Sequence, residues 1–249
     1  MNFAPIAPRD VVTQINKTYS ELPYKASVDE PLADARSTSF LIKYGSVDVS
    51  VMMIDQRLPR ETYSEVLALN QMWPQANEAF ERHTTHYIVA ALKDTNSHST
   101  AIDAALAVTC ISLVLADMRS ALGFLFTEAK TVLPINVIRS ATIDIPTTKR
   151  LPAEVWSQSL LFGNDRGKIG VSTIGLAPFI GRELELAPCF ANPTEAVQIA
   201  NAIIHYLLMK GPIIKNAEEL KLHNGLTFRA SFVDKGLRGE MPMLLMEAL

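Results

Sequence analysis

Two stretches around residue 45 alternate apolar and polar positions in the manner of β-strands. Residues 40–54 read FLIKYGSVDVSVMMI, and Val47, Val49 and Val51 alternate with polar residues after the turn at Gly45. Period-two alternation gives a strand one buried face, and a glycine turn between two β-prone runs is typical of a hairpin, which we predict here. Residues 86–92, HYIVAAL, are apolar and β-branched enough to predict a central strand. Further strands are predicted at residues 122–126, 169–174, 183–186, 227–233 and 243–247.

Apolar residues at three- and four-residue spacing predict helices elsewhere in the chain. The longest begins near Ser99 or Thr100 and runs to residue 116. It is apolar around most of its circumference, which predicts packing on more than one side. An amphipathic helix over residues 194–210 ends at Gly211 and Pro212, a usual stop signal. Shorter helices are predicted at residues 11–19, 59–70, 75–82 and 153–161.

Prolines and small polar residues set the predicted domain boundaries. Residues 1–38 are predicted to be a loosely attached N-terminal arm, and residues 131–152 a linker between the halves 39–130 and 153–249. Each half contains several predicted strands and a long helix. We therefore predict an α+β fold with mixed or antiparallel sheets, helices packed on one face and two similar halves. The sequence leaves open whether the halves share one sheet in a single fused unit or form two separate domains.

Composition and charge narrow the classes of function. The chain carries 23 Lys and Arg against 26 Asp and Glu, a net charge of -3, so no excess of positive charge favours nucleic acid or an anionic membrane surface.

The apolar stretch at residues 104–116 is shorter than the roughly 20 residues of a membrane span. The N-terminal residues lack a signal-sequence pattern, and Cys110 and Cys189 are the only cysteines, which predicts free thiols and a cytoplasmic location.

His83 and His86 form the most metal-like pair in the sequence. Two imidazoles three residues apart on a helix can share a metal ion, but His86 begins a predicted strand, and no Cys, Glu or further His lies at ligand spacing. The structural alternative places His83 at a helix C-terminus, where the dipole favours it, and His86 at a strand end, hydrogen-bonded in the core. We predict no metal and no cofactor, and keep both histidines as candidate catalytic residues.

Residues 173–186, TIGLAPFIGRELEL, hold the second set of candidates. Glycines near both ends permit tight turns, and three charges lie where a strand begins. A recognition loop would use Arg182 to pair with an acidic group on a ligand or partner. The alternative is a crossover between strands in which Arg182 closes a local ion pair. The predicted binding residues are Phe179, Arg182, Glu183 and Glu185.

Four features together resemble a bacterial family known only as a domain of unknown function, number 4261. They are the Trp73-Pro74 step, the His83-x-x-His86 pair with its apolar continuation, the Ala-rich helix after it, and Thr173-x-Gly-Leu-x-x-Phe-x-Gly-Arg-Glu-Leu-Glu. The resemblance covers most of residues 39–249, although Ile180 stands where a Gly looks typical of the family. It implies a soluble bacterial α+β protein and brings no activity, cofactor or catalytic residue.

The sequence contains no nucleophile elbow and no phosphate-binding glycine loop, which favours a non-enzymatic function. The first hypothesis is a protein-binding module, most concretely an immunity-type protein that neutralises a partner toxin. The alternative is a hydrolase or transferase whose site is assembled from distant residues near His83, His86 and Arg182. A third possibility is a structural subunit of a larger assembly, which would expose a large apolar patch. Another protein is the expected partner, and the oligomeric state stays open.

Overall fold

The computed structural model describes residues 5–28, 37–70, 72–92, 96–143, 145, 150–222, 225–238 and 240–249. The chain divides into two compact units. The first comprises Met1–Asn96, Thr100–Leu125 and Thr131–Arg150, and the second comprises Ser97–Ser99, Phe126–Lys130 and Leu151–Leu249. Helices combine with antiparallel or mixed open sheets, which confirms the predicted α+β fold class.

The elements follow in chain order within the described residues. The helices are α1 Pro8–Thr18, α2 Arg60–Leu69, α3 Ala76–Arg82, α4 His98–Arg119, α5 Ile135–Thr142, α6 Ala153–Trp156, α7 Ala177–Ile180 and α8 Pro193–Lys210. The strands are β1 Ala26–Ser27, β2 Ser39–Tyr44, β3 Val47–Ile54, β4 His86–Ala91, β5 Gly123–Phe126, β6 Thr131–Pro134, β7 Gln158–Gly163, β8 Ile169–Ile174, β9 Glu183–Phe190, β10 Glu219–Lys221, β11 Thr227–Val233 and β12 Met243–Ala248.

The first unit contains an antiparallel sheet in the order β1-β2-β3-β4. The strand predicted at residues 86–92 is present as β4, but it lies at the edge of this sheet among the described strands, so its prediction as a central strand is wrong. The hairpin predicted around Gly45 is confirmed, since β2 and β3 pair on either side of that residue, whose φ of 61° is readily adopted by glycine. Val47, Val49 and Val51 are all buried, as their alternation predicted. The polar residues between them lie on the other face of the sheet.

The predicted N-terminal arm is an ordered part of the first unit over residues 5–28. The helix predicted at residues 11–19 is present as α1, and it buries Val11 and Ile15 completely. The strand β1 then pairs with β2. Pro8 lies in the first turn of α1, where the missing N–H costs nothing, so this proline starts an element and does not loosen the chain. Residues 29–36 lie outside the described residues.

The predicted linker at residues 131–152 also contains regular structure. It includes β6 and α5, and Val132, Leu133 and Ile138 are buried. Pro134 ends the strand and sits at the N-cap of the helix, so here too the proline marks a boundary between elements. Residues 144 and 146–149 lie outside the described residues.

The long apolar helix α4 is buried on most of its circumference, as predicted. By length and composition it could cross a membrane, but 61% of its most apolar window is buried within the structure, as in the core helix of a soluble protein. Cys110 lies in this helix and is fully buried. Burial raises the pKa of its thiol to about 12 and also raises the pKa of the Tyr19 and Tyr44 hydroxyls.

The first unit is therefore expected to lose stability in alkaline solution. As the pH rises, the unfolded chain loses these protons at a lower pH than the folded chain does. The pKa of the Cys110 thiol is 9.0 when unperturbed and about 12 in the folded protein. The stabilisation is present in full below about pH 9 and is lost as the pH rises towards the folded value. The urea midpoint, followed by circular dichroism, should fall between about pH 8 and about pH 10.5.

Two cysteine variants separate this effect from general alkaline denaturation. Cys110→Ala should make the urea midpoint fall less steeply with rising pH. Cys189→Ala, at a half-buried position in the second unit, should have a smaller effect on that slope. Equal slopes in the two variants would contradict a role for the buried thiol.

The second unit contains a six-stranded sheet in the order β10-β11-β12-β9-β8-β7. β12 and β9 run parallel and the other neighbouring pairs are antiparallel, so the sheet is mixed. α8 packs against β7, β8 and β9. The Asn192 side chain accepts a hydrogen bond from the Thr194 N–H at its start, and the helix ends at Gly211. These caps confirm the predicted bounds of this helix.

The predicted helix at residues 153–161 is wrong over its second half. α6 ends at Trp156, and β7 follows and pairs with β8 along its whole length. Short apolar runs such as Leu160 to Phe162 fit a helix or a strand equally well by periodicity. Backbone pairing with a neighbouring strand decides between them, and that neighbour comes later in the chain.

Candidate functional site

A cavity of about 160 Å³ lies at one end of the second sheet. Val233 pairs with Met243, and Met243 pairs with Glu183, so the end of β11 and the beginnings of β12 and β9 lie side by side. Arg182 immediately precedes β9 at this end. The lining residues are Ile180, Arg182, Leu207, Pro212, Ile214, Phe232 and Leu244. All but Arg182 are apolar, so the cavity combines apolar walls with a single positive charge.

The Arg182 guanidinium lies on the face of the Phe232 ring. Its central carbon is 4.0 Å from the ring centroid, within the range of a cation–π interaction. Among the described residues, Arg182 has no hydrogen-bond or ion-pair partner, so the local ion pair considered for it does not form there. Stacking fixes the plane of the guanidinium and leaves its N–H groups free to bind an acceptor at the cavity.

Glu183 is buried, with 4% of its surface exposed, and its carboxylate binds the preceding loop. It accepts hydrogen bonds from the Thr173 hydroxyl at 2.6 Å and from the backbone N–H groups of Gly175, Leu176 and Ala177 at 2.9, 3.0 and 3.0 Å. Four donors satisfy both oxygens. The structure thus uses this predicted binding residue to hold the loop that leads into α7.

Glu185 is fully buried and holds a second loop. Its carboxylate accepts hydrogen bonds from the backbone N–H groups of Leu237 at 2.5 Å and Arg238 at 3.1 Å. Gly236 lies so close that a Cβ atom there would come within 2.8 Å of a Glu185 oxygen. Alternation along β9 directs Glu183 and Glu185 to the face opposite Leu184, and opposite the cavity that Arg182 lines.

Phe179 is buried in the second unit, where it contacts Trp156 and His98. Its ring stacks on Trp156, with centroids 5.4 Å apart and an interplanar angle of 18°. Its carbonyl oxygen is 3.1 Å from Nδ1 of His98, which donates to it. Of the four predicted binding residues, Arg182 is therefore the one that the structure places at a cavity, and the other three are buried in contacts within the second unit.

His83 and His86 lie in the first unit, and each imidazole is hydrogen-bonded to different backbone groups. Nδ1 of His83 donates to the Phe80 carbonyl, and its Nε2 accepts from the Leu58 N–H at 2.7 Å. Both ring nitrogens are thus engaged, as in a neutral imidazole. Nδ1 of His86 donates to the Gln56 carbonyl at 2.9 Å. His83 is the C-cap of α3, as the structural alternative predicted, whereas His86 makes its hydrogen bond at a half-buried strand end and not in the core. Arg182 belongs to the other unit.

Within the described part of the chain, no three or more His, Cys, Asp or Glu residues form a group that could hold a metal ion. Both cysteines are free. Burial raises the pKa of the Cys189 thiol, with Glu195 adding to the rise, which disfavours its thiolate at neutral pH.

Sequence reasoning found Arg182 but missed the apolar residues around it. Leu207 and Pro212 come from the end of α8 and the residues after it, whereas Phe232 and Leu244 come from two strands further along the chain. The one local signal was the Gly211-Pro212 stop, which predicted where α8 ends. The pairing of β11 with β12 and of β12 with β9, which brings these residues together, has no signature in any single segment.

Comparison of the chain with protein-family models, with curated proteins and with solved structures finds no match. The resemblance to family 4261 therefore stays a prediction.

Proposed function

We propose that this protein is a non-enzymatic binding module that recognises an acidic group on another protein through the cavity at Arg182. The observation that carries the proposal is the Arg182 guanidinium, which lies over the Phe232 ring, lines an apolar cavity and has no ion-pair partner among the described residues. Arginine and aromatic residues at the centre of a small apolar depression are the usual energetic centre of a protein interface.

Exposed apolar side chains at the same end of the sheet support a protein as the partner. Phe232 is 40% exposed and Ile213, between two cavity-lining residues, is 46% exposed. The loop that joins β11 to β12 carries Leu237 and Met241, which are 58% and 54% exposed. Apolar groups rimmed by charged residues are typical of interaction surfaces.

The more specific form of the proposal is an immunity-type protein that acts in the bacterial cytoplasm and neutralises a toxin by covering it. A stoichiometric complex would be sufficient for this role, so no catalytic group is needed. Two free thiols are compatible with a reducing compartment. The hydrogen bonds of both nitrogens of His83 to backbone groups favour this proposal over the hydrolase or transferase alternative.

Site-specific photo-crosslinking in the host tests this proposal. A photo-reactive amino acid at Ile213 should capture one host protein reproducibly. The matched control is the same amino acid at Leu161, 39% exposed on β7 at the opposite edge of the sheet, which should not capture it. Absence of a specific product at Ile213 would overturn the proposal.

The captured protein must then depend on Arg182. Arg182→Ala should weaken the purified complex by at least about tenfold, the loss typical of a central arginine contact. Arg229→Ala is the control, because Arg229 lies on β11 near Phe232 but is exposed and paired with Glu219. Equal affinities of the two variants would contradict the assigned surface. Loss of the partner's toxicity on co-expression, reversed by Arg182→Ala, would support the immunity-type role.

A further inference from the structure

We propose that the group bound at Arg182 is the C-terminal carboxylate of the partner chain, with an aliphatic last side chain inside the cavity. This inference rests on the proposed function and names the part of the partner that the site recognises. It follows from three properties of the cavity: its volume, its single charge and the position of that charge.

The volume admits one side chain. An engineered cavity of about 150 Å³ lined by Leu, Ile and Phe in another protein accommodates a benzene molecule. The cavity at Arg182, of about 160 Å³, therefore matches one aliphatic or small aromatic group. Ligand sites for larger molecules measure roughly 300–1,000 Å³. A longer peptide stretch would have to lie outside the cavity, with only one residue inserted.

The charge specifies a monoanion with two oxygens. Among the described residues that line the cavity, Arg182 is the only charged one. A guanidinium binds a carboxylate through two parallel N–H···O bonds, and this matches one negative charge. A phosphate group would bring about two negative charges and a third oxygen, which the apolar walls leave without a donor. The cavity therefore favours a carboxylate over a phosphoryl group.

The closeness of charge and apolar walls favours a chain terminus over an internal acidic residue. In a C-terminal residue, the carboxylate and the side chain are attached to the same Cα atom, so one residue satisfies the arginine and fills the cavity. An internal Asp or Glu carries its carboxylate on the side chain itself. It would place either the charge or only one methylene (Asp) or two (Glu) in the cavity, and it would leave the apolar walls partly unfilled.

The Phe232 ring strengthens the selection. It covers one face of the guanidinium and so excludes water from that side, which makes an ion pair with an incoming carboxylate stronger than at an open surface. A neutral C-terminal amide would lose the ion pair and one of the two acceptor oxygens, and it would bring an NH₂ group towards a cation. Discrimination between acid and amide is thus the property that sets this mode apart from binding by apolar contact alone.

Peptide binding to the full chain, followed by NMR chemical shifts, tests the inference. The probe is a six-residue Gly/Ser peptide ending in Ala-Leu, compared with the same peptide amidated at its C-terminus and with one ending in Ala-Gly. The free acid ending in Leu should shift the signals of cavity residues, and both comparison peptides should bind at least about tenfold more weakly. Equal binding of acid and amide would overturn the inference.

Variants and a small carboxylate complete the test. Arg182→Lys, which keeps the charge but not the bidentate geometry, and Arg182→Gln should both weaken the free acid, while Arg229→Gln should not. Thermal unfolding of each variant shows whether it is folded. If 4-methylpentanoate binds as tightly as the peptide, the site recognises small monocarboxylates and the inference fails. If the peptide binds but no partner is captured at Ile213, the proposed function fails and the carboxylate specificity stands.

Discussion

Replacement of Glu183 by alanine is expected to lower the free energy of unfolding of the second unit by about 3–5 kcal/mol. The buried carboxylate accepts four hydrogen bonds, three of them from consecutive backbone N–H groups at Gly175, Leu176 and Ala177. Removal of the side chain leaves these donors buried without an acceptor and also opens a cavity. Hydrogen exchange across a urea series, read by mass spectrometry in peptides from β8 and β9, measures the change.

A matched control separates the lost hydrogen bonds from the loss of a negative charge. Glu247 belongs to β12 in the same sheet, but it is exposed. Glu247→Ala should change the free energy of unfolding by less than about 0.5 kcal/mol. The loss of unfolding free energy in Glu183→Gln should lie between the losses in Glu183→Ala and Glu247→Ala. One oxygen stays as an acceptor, while the new NH₂ group faces backbone donors. A loss below about 1 kcal/mol for Glu183→Ala would contradict the role assigned to this carboxylate.

Gly175→Ala is expected to destabilise the second unit by about 3 kcal/mol or more. Gly175 has a φ of 101°, which side chains other than that of glycine rarely adopt, and a Cβ atom there would lie 2.5 Å from the Trp156 carbonyl oxygen and 2.8 Å from Cα of Ala129. Because both obstacles are backbone atoms, no change of rotamer relieves the clash. The same exchange measurement reports the effect.

Gly167→Ala is the control for backbone strain alone. Gly167 also has a positive φ, 69°, but nothing lies within 4 Å of a Cβ atom added there. Its substitution should cost about 1–2 kcal/mol, the usual penalty of a left-handed residue. If the two glycine variants are equally destabilised, the close approach of backbone at Gly175 has no energetic consequence.

The sequence predicted most of the elements whose cause is local. The alternation at Val47, Val49 and Val51 was sufficient to predict β3, and Gly211 with Pro212 marked the end of α8. These signals lie within the element itself. The prolines were misinterpreted in the N-terminal arm and the linker, because Pro8 and Pro134 start helices there and the burial that orders those segments involves distant residues.

The candidate site was predictable only in part, for a geometric reason. The sequence showed that Arg182, Glu183 and Glu185 lie close together, but alternation along β9 separates them onto two faces of the sheet. The burial of both glutamates depends on residues 175–177 and 237–238, whose N–H groups reach the two carboxylates only in the folded chain. Phe232 reaches Arg182 through strand pairing, which composition and spacing do not encode.

Neither unit is a continuous stretch of sequence, and this limits how the protein can be dissected genetically. A truncated gene for residues 151–249 would omit Ser97–Ser99 and Phe126–Lys130, which belong to the same unit. The product would lack the imidazole that donates to the Phe179 carbonyl and the Ala129 backbone against which Gly175 packs. Autonomous folding of such a fragment is therefore not expected, and biochemical work on the Arg182 cavity calls for the intact polypeptide.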